Sequence, residues 1–263
     1  MTSSSAVRRN PSFEIVANMF NSDSSKNGAA RRGILSAMGT HRRVWLSPSA
    51  YPQEWAAEQK SSSTLNFGTS PVLNLDEGPV HLAVEAGIGG TSFCLSLAAA
   101  VLEANGRVVW LGREMPDGQR TAAILNSLSE SQLEKLFVIQ FGQDLLTRVR
   151  ATKPLISRLS TTDLVVIDDW CGSVGRAAAD DTAAMRQIIA AAKDCRLIFT
   201  SKAYESPAGI GEPWRARGGT EFSGEAINLA WLFQSERLGN RRELRTGDQC
   251  TELVLTEKGF FPA

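Results

Sequence analysis

The sequence has little with which to build a metal centre, a disulfide framework or a nucleophilic active site. Its four cysteines, Cys94, Cys171, Cys195 and Cys250, are widely spaced and form no C-x-x-C pair. That pattern points to buried free thiols in a reducing compartment and away from staples or zinc. Only two histidines occur, His41 and His81, far apart in the chain. His81 lies in an apolar run, where a satisfied core residue is the expected role. No nucleophile is spaced with a base, and no cluster has metal-ligand spacing. Net charge is missing too: 28 Lys and Arg balance 28 Asp and Glu, so no global field steers the chain to nucleic acid or membrane. No apolar stretch approaches the ~18 residues of a membrane helix, and Met1 to Arg9 has no apolar run after its basic pair. A soluble intracellular protein without a signal peptide is expected, cytoplasmic or, in a eukaryote, nuclear.

Apolar material, by contrast, suffices for a full core. With 263 residues and 43% hydrophobic side chains, one domain of about 180–200 residues plus an extension is expected. The first 60 residues are rich in Ser, Asn and Arg and weakly periodic. They hold eight basic residues (Arg8, Arg9, Lys26, Arg31, Arg32, Arg42, Arg43, Lys60) against four acidic ones (Glu14, Asp23, Glu54, Glu58). Residues 1–62 therefore read as a basic, partly disordered extension, or as an arm touching nucleic acid or a partner. Ser61–Thr64 reads as the linker into a core over 63–263.

Within that core, short apolar runs alternate with helical patterns. Strands are expected at 80–85, 107–112, 136–140, 163–168 and 196–201, and helices near 91–104, 117–129, 142–159 and 180–194. The first helix should stop at Asn105-Gly106. Near-continuous apolar strands interleaved with helices mean an α/β fold with a mostly parallel sheet covered on both faces. After Gly219 the pattern changes to consecutive strands at 227–236, 241–246 and 251–256, an antiparallel C-terminal meander. Arg241-Arg242 reads as part of a solvated hairpin.

The chemistry-bearing signal is His81 to Ser92, which has the outline of a phosphate-binding loop, G-x-x-x-x-G-K-[ST]. In such a loop backbone amides cradle phosphates, the lysine reaches the β/γ-phosphates and the hydroxyl holds Mg²⁺. Val84 stands in place of the first glycine, Gly89 keeps the second, Gly90 stands where the lysine belongs, and Thr91 keeps the hydroxyl. The nucleotide-binding candidates are Glu85, Ala86, Gly87, Ile88, Gly89, Gly90, Thr91 and Ser92, with Arg120 added below. A charge-assisted phosphate contact is worth roughly 1.5–3 kcal/mol, and more as charge develops in transfer. Its loss makes ATP and Mg²⁺ weak ligands and efficient hydrolysis improbable. Amides and the helix dipole remain to hold a phosphate. Asp168, closing the run Leu164 to Asp168, sits where a carboxylate shares Mg²⁺ with Thr91. Glu114, after the second strand, is placed to polarise an attacking water. Residues 202–220 read as a long irregular loop. Lys202, Arg215 and Arg217 supply cations and Tyr204 and Trp214 supply stacking faces, the combination a single-strand groove needs.

These motifs resemble the RecA-type recombinase superfamily, most closely the short archaeal RadB-like paralogues. The resemblance covers roughly residues 63–261. It is carried by Trp110-Leu-Gly-Arg-Glu114 with Arg120 six residues later, by Asp168, by the segment from Ser201 to Gly219, and by Thr256-Glu-Lys-Gly-Phe. The resemblance implies a RecA-like P-loop NTPase fold, with Glu114 as catalytic glutamate, Asp168 on the metal side and 202–220 as the DNA-facing loop. It departs in lacking the loop lysine and first glycine, and Gly112 stands where the family has an aspartate. The implied function is a DNA repair or recombination accessory, oligomeric, binding single-stranded DNA and a RecA-type recombinase or other RecA-fold subunit, with ATPase weak or absent. Two alternatives stand beside it: a non-catalytic RecA-fold scaffold subunit of the kind found in Elongator, and an ATPase completed by a neighbouring subunit.

Overall fold

A computed structural model describes residues 65–263 except 68–69, 207–212, 223 and 238. The extension assigned to 1–62 lies outside the described residues. The strands among the described residues are β1 (Leu65–Phe67), β2 (Ser70–Leu73), β3 (Val80–Val84), β4 (Val108–Gly112), β5 (Leu136–Gln140), β6 (Leu164–Asp168), β7 (Arg196–Glu205), β8 (Trp214–Ala216), β9 (Asn228–Gln234), β10 (Arg241–Thr246), β11 (Gln249–Thr256) and β12 (Gly259–Pro262). The helices are α1 (Gly90–Glu103), α2 (Gly118–Ile124), α3 (Glu130–Leu133), α4 (Leu145–Ile156) and α5 (Ala179–Ala191). No described helix is long and apolar enough to cross a membrane.

The main sheet runs β12-β11-β10-β9-β3-β7-β6-β4-β5, with β8 paired to β7 outside that path and β1-β2 forming a separate hairpin. Along that path β3 to β7 are parallel to one another where they pair, and β9 joins β3 in parallel before β10, β11 and β12 turn antiparallel. The expected parallel core with a closing meander is therefore present. Strand alternation divides the core into two layers. Leu82, Val108, Trp110, Val166 and Ile198 meet Phe93 and Leu97 of α1 on one face. Val109, Leu111, Val165, Ile167 and Phe199 meet Val149 of α4 and Met185 and Ile188 of α5 on the other.

Local chemistry sets the helix ends. Asp117 and Asp144 cap α2 and α4 by accepting from Arg120 N (2.8 Å) and Thr147 N (3.0 Å). Helix α1 ends in a double turn: Asn105 N donates to Leu102 O (3.0 Å) and Gly106 N to Val101 O (2.9 Å), with Asn105 at φ 64. A side chain on Gly106 would strike the Thr162 carbonyl. The start of α1 differs, because its N-cap Gly89 at φ 102 offers no side-chain cap.

The described cysteines are all free, Cys94 and Cys171 buried and Cys195 half-buried. Cys250 departs from the expectation, since it lies exposed at the start of β11, beside a Gly247 turn. His81 is the expected core residue. It stacks on Phe199 at 4.7 Å and shares a 2.7 Å hydrogen bond with Ser201 Oγ. Burial lowers its pKa from 6.5 to about 3. The ring is therefore neutral in both folded and unfolded states above pH 6.5. Between 6.5 and about 3 the unfolded chain takes up a proton that the fold excludes, so stability falls as pH falls. We expect urea denaturation at pH 7.5 and 5.0 to show a larger loss for the parent than for His81→Phe. Equal losses would assign the acid sensitivity to other groups.

Candidate functional site

The loop from β3 to α1 turns on two glycines with positive φ, Gly87 at 78 and Gly89 at 102. Its two departures from the motif are sterically one feature. A Cβ on Gly90 would lie 2.9 Å from both γ-carbons of Val84. Valine is stiff at χ1 and cannot swing aside cheaply. Val84 thus fills the space through which a lysine stem at 90 would leave the helix. Ala86 and Gly87 are exposed, whereas Ile88 is buried against the core and Gly89 lies under Leu255 and Phe260. Glu85 is engaged by the meander: its carboxylate accepts from Gln234 N at 2.8 Å and its own amide donates to Leu232 O at 3.0 Å.

Arg242 corrects one expectation. It is not solvated but 8% exposed, and its Nε donates to the Ile88 carbonyl at 3.0 Å. Another guanidinium nitrogen donates to Gly239 O and Arg241 O, both at 2.8 Å. The face of β10 that carries Leu244 into the core also carries Arg242, which hydropathy at adjacent arginines does not reveal.

Beyond the loop, Thr91 Oγ1 donates to Asp168 Oδ2 at 2.8 Å, and Thr200 Oγ1 donates to Asp168 Oδ1 at 2.8 Å. Burial raises the Asp168 pKa; the two hydroxyls oppose the rise and Asp169 adds to it. Asp169 adopts φ 56 and gives its amide to Thr200 Oγ1 at 2.8 Å. Burial raises its pKa as well, Lys202 and Arg113 oppose the rise, and Glu114 reinforces it. Glu114 itself is exposed. Gly112 is fixed by the fold, because a Cβ there would meet the Glu114 carbonyl. Arg120 Nε donates to Ser92 Oγ at 3.0 Å, tying α2 to the first turn of α1.

Thr91 and Asp168 fit a hard divalent cation as a pair, a hydroxyl and a carboxylate in contact, with phosphate and water left to complete the shell. Among the described residues no group of three or more His, Cys, Asp or Glu side chains is arranged to hold a metal alone. The loop has glycines at its turn positions and no lysine of its own.

The segment 202–220 is not an irregular loop throughout. Residues to Glu205 continue β7, and β8 pairs back on it with Ala203 opposite Ala216, Tyr204 opposite Arg215 and Glu205 opposite Trp214. Opposed residues share a face and successive ones alternate. Ala203, Trp214 and Ala216 pack with Trp231 and Phe233, the Trp214 and Phe233 rings 4.8 Å apart. The other face carries Tyr204 and Arg215, with Lys202 and Arg217 one pair further on, joined by Arg217 N donating to Lys202 O at 2.9 Å. Arg217 stacks over Tyr204 at 4.7 Å and donates to Gly175 O. Four of the five nucleic-acid candidates are therefore together, and Trp214 is separated from them as an anchor.

Two elements escaped the sequence reading. Arg113 donates to Asp169 O (2.9 Å), Trp170 O (2.9 Å) and Gly142 O (3.0 Å), fixing the turn after β6. Residues 171–178 lie against the hairpin through Arg217, and Arg176 reaches Glu221 at 3.1 Å. Glycines and an arginine directly after Asp168-Asp169 were the available signal for that loop.

No protein-family model matches the chain, and no curated protein matches it by sequence. Among solved structures it is similar to the crystal structure of the RadB recombinase, with TM-score 0.53 and 12% identity, over 71% of this chain and 91% of that one. At that identity the likeness establishes a shared RecA-like fold.

The Val84–Gly90 contact yields a double-mutant test. Gly90→Lys in the parent should cost about 1–3 kcal/mol of stability through overpacking. In a Val84→Gly background the same change should cost clearly less, so that the double mutant is less destabilised in urea denaturation than the sum of the single changes. Strict additivity would show that the two positions do not compete for space.

Proposed function

We propose that this protein is an accessory factor of DNA recombination or repair that binds single-stranded DNA and a RecA-type recombinase or another RecA-fold subunit, with ATP hydrolysis weak or absent. The observation that carries the DNA reading is the basic face of the β7–β8 hairpin, where exposed Arg215 and Tyr204 stand with Lys202 and Arg217. In a chain of zero net charge this is a local electrostatic footprint with a stacking surface. The fold shared with a recombinase supports the same reading. Weak hydrolysis follows from Gly90, which offers no cation to a γ-phosphate, and from Val84, which obstructs one.

The scaffold reading has its own support. Glu85 and Arg242 bind the phosphate loop to the meander through protein groups alone, as a loop kept for architecture requires. DNA binding separates the two readings.

Fluorescence titration of the full chain with a single-stranded oligonucleotide should show salt-dependent binding. Arg215→Ala should lower the log–log salt slope by about 0.7, and Tyr204→Ala should weaken binding by about 1–3 kcal/mol with little change of slope. Trp214→Ala should act mainly by lowering thermal stability, since its ring packs on Phe233. Salt-independent or absent binding in the parent would favour the scaffold. Steady-state phosphate release at the rate of an active RecA-type ATPase, abolished by Glu114→Gln, would overturn the assignment of weak hydrolysis.

A further inference from the structure

We propose that Lys202 supplies the cation that the phosphate loop lacks, so that the site takes the phosphates of a nucleotide with a divalent cation, contacted from β7 instead of from α1. The inference rests on the nucleotide reading of that site and deepens it.

The geometry begins with register. Lys202 pairs with Val84 across parallel strands, about 4.8 Å away. Both side chains take the α1 side of the sheet: Val84 and Ile198 belong to that core layer, and Lys202 follows Ile198 by four residues, which returns it to the same face. Val84 in turn touches the position of a Gly90 Cβ. A flexible four-carbon stem leaving Lys202 therefore runs beside Val84 and over the start of α1, toward the volume that a lysine from position 90 would have reached. The same valine that excludes the cation from the loop borders its path from the neighbouring strand.

Lys202 is exposed, and among the described residues its ammonium makes no direct hydrogen bond or ion pair. Lys202 follows Thr200, whose hydroxyl donates to Asp168, by two residues on the same face of β7, which places its stem at the Asp168 end of β6. A second unpaired donor lies on this face. Trp110 is fully buried, and its indole N–H has no partner. That nitrogen lies 3.1 Å from where a Cβ on Gly112 would be, at the strand position paired with Asp168. Gly89 also leaves the first turn of α1 without a side-chain cap. Asp168, Asp169 and Glu114 would repel a bare phosphate, so the ligand must arrive with a divalent cation, for which Thr91 and Asp168 are the fitting pair.

The test uses the full chain, Mg²⁺ and the N-methylanthraniloyl derivative of ATP, followed by fluorescence, with single-stranded oligonucleotide titrated into the same preparations. Thermal melts confirm folding, and Lys193→Ala serves as a remote lysine control. The parent should bind the nucleotide saturably. Lys202→Ala should weaken that binding about 10- to 100-fold, and Lys202→Arg should restore most of it. The proposal is overturned by a parent that does not bind the nucleotide, or by Lys202→Ala binding it like the parent. Loss of oligonucleotide binding alone in Lys202→Ala would return the residue to the DNA face and equally sink the proposal. If the oligonucleotide never binds but Lys202→Ala still loses the nucleotide, the DNA reading fails and the proposal stands.

Discussion

Strand β3 is hydrogen-bonded to β7 on one edge and to β9 on the other, and its residues from Val80 to Val84 are all buried. It therefore admits no solvent on any side, and its register determines what meets at its C-terminal end. There the parallel half of the sheet delivers Asp168, Thr200 and Lys202, while the antiparallel half delivers Gln234 and Arg242. The loop that leaves β3 is held between two structures with different rules of growth. One is built from buried parallel strands that need helical crossovers, the other from short hairpins with one helix-covered face.

The consequence is a phosphate loop whose contacts are met largely by protein. Where a nucleotide site would start a lysine side chain from the loop, Val84 occupies the space beside Gly90. Where the loop backbone has a spare carbonyl, Arg242 donates to it, and the Glu85 carboxylate in turn accepts from β9. Each contact is modest alone, about 0.5–3 kcal/mol for a hydrogen bond depending on charge. Together they fix the loop against the meander without a ligand. At the same sheet end lie the hydroxyl–carboxylate pair of Thr91 and Asp168 and, on the adjoining strand, Lys202. The chemistry left at this end of the sheet belongs to the strands more than to the loop.

The β7–β8 hairpin extends that same sheet end outward and has two unlike faces. One is anchored by Trp214 on Phe233 and Trp231, so aromatic area goes to holding the hairpin down. The other is basic, with Tyr204 beneath the Arg217 guanidinium, and touches the loop that follows β6. Asp169 in its left-handed conformation and the Arg113 guanidinium, which donates to the carbonyls of Asp169, Trp170 and Gly142, set the direction of that loop. Thr200 links the two regions physically, since its one hydroxyl donates to Asp168 and accepts from the Asp169 amide.

Much of this was legible in the chain. The apolar runs at β3, β4, β5, β6 and β7 and the helical patterns between them specify a parallel sheet, because strands buried on both faces need no alternation. The Asn105-Gly106 stop, the Gly-rich outline of the loop and the acidic end of β6 are local signals, carried by residues close in sequence. The grouping of Lys202, Tyr204, Arg215 and Arg217 was visible as composition. What the chain could not state was which side each residue takes once two distant segments pair. That pairing separated Trp214 from Tyr204, buried Arg242 against Ile88, set Val84 against Gly90 and laid Lys202 beside them. A strand's side chains alternate whatever its neighbours are, but only the tertiary register decides what lies opposite, and at this site the register decides the chemistry.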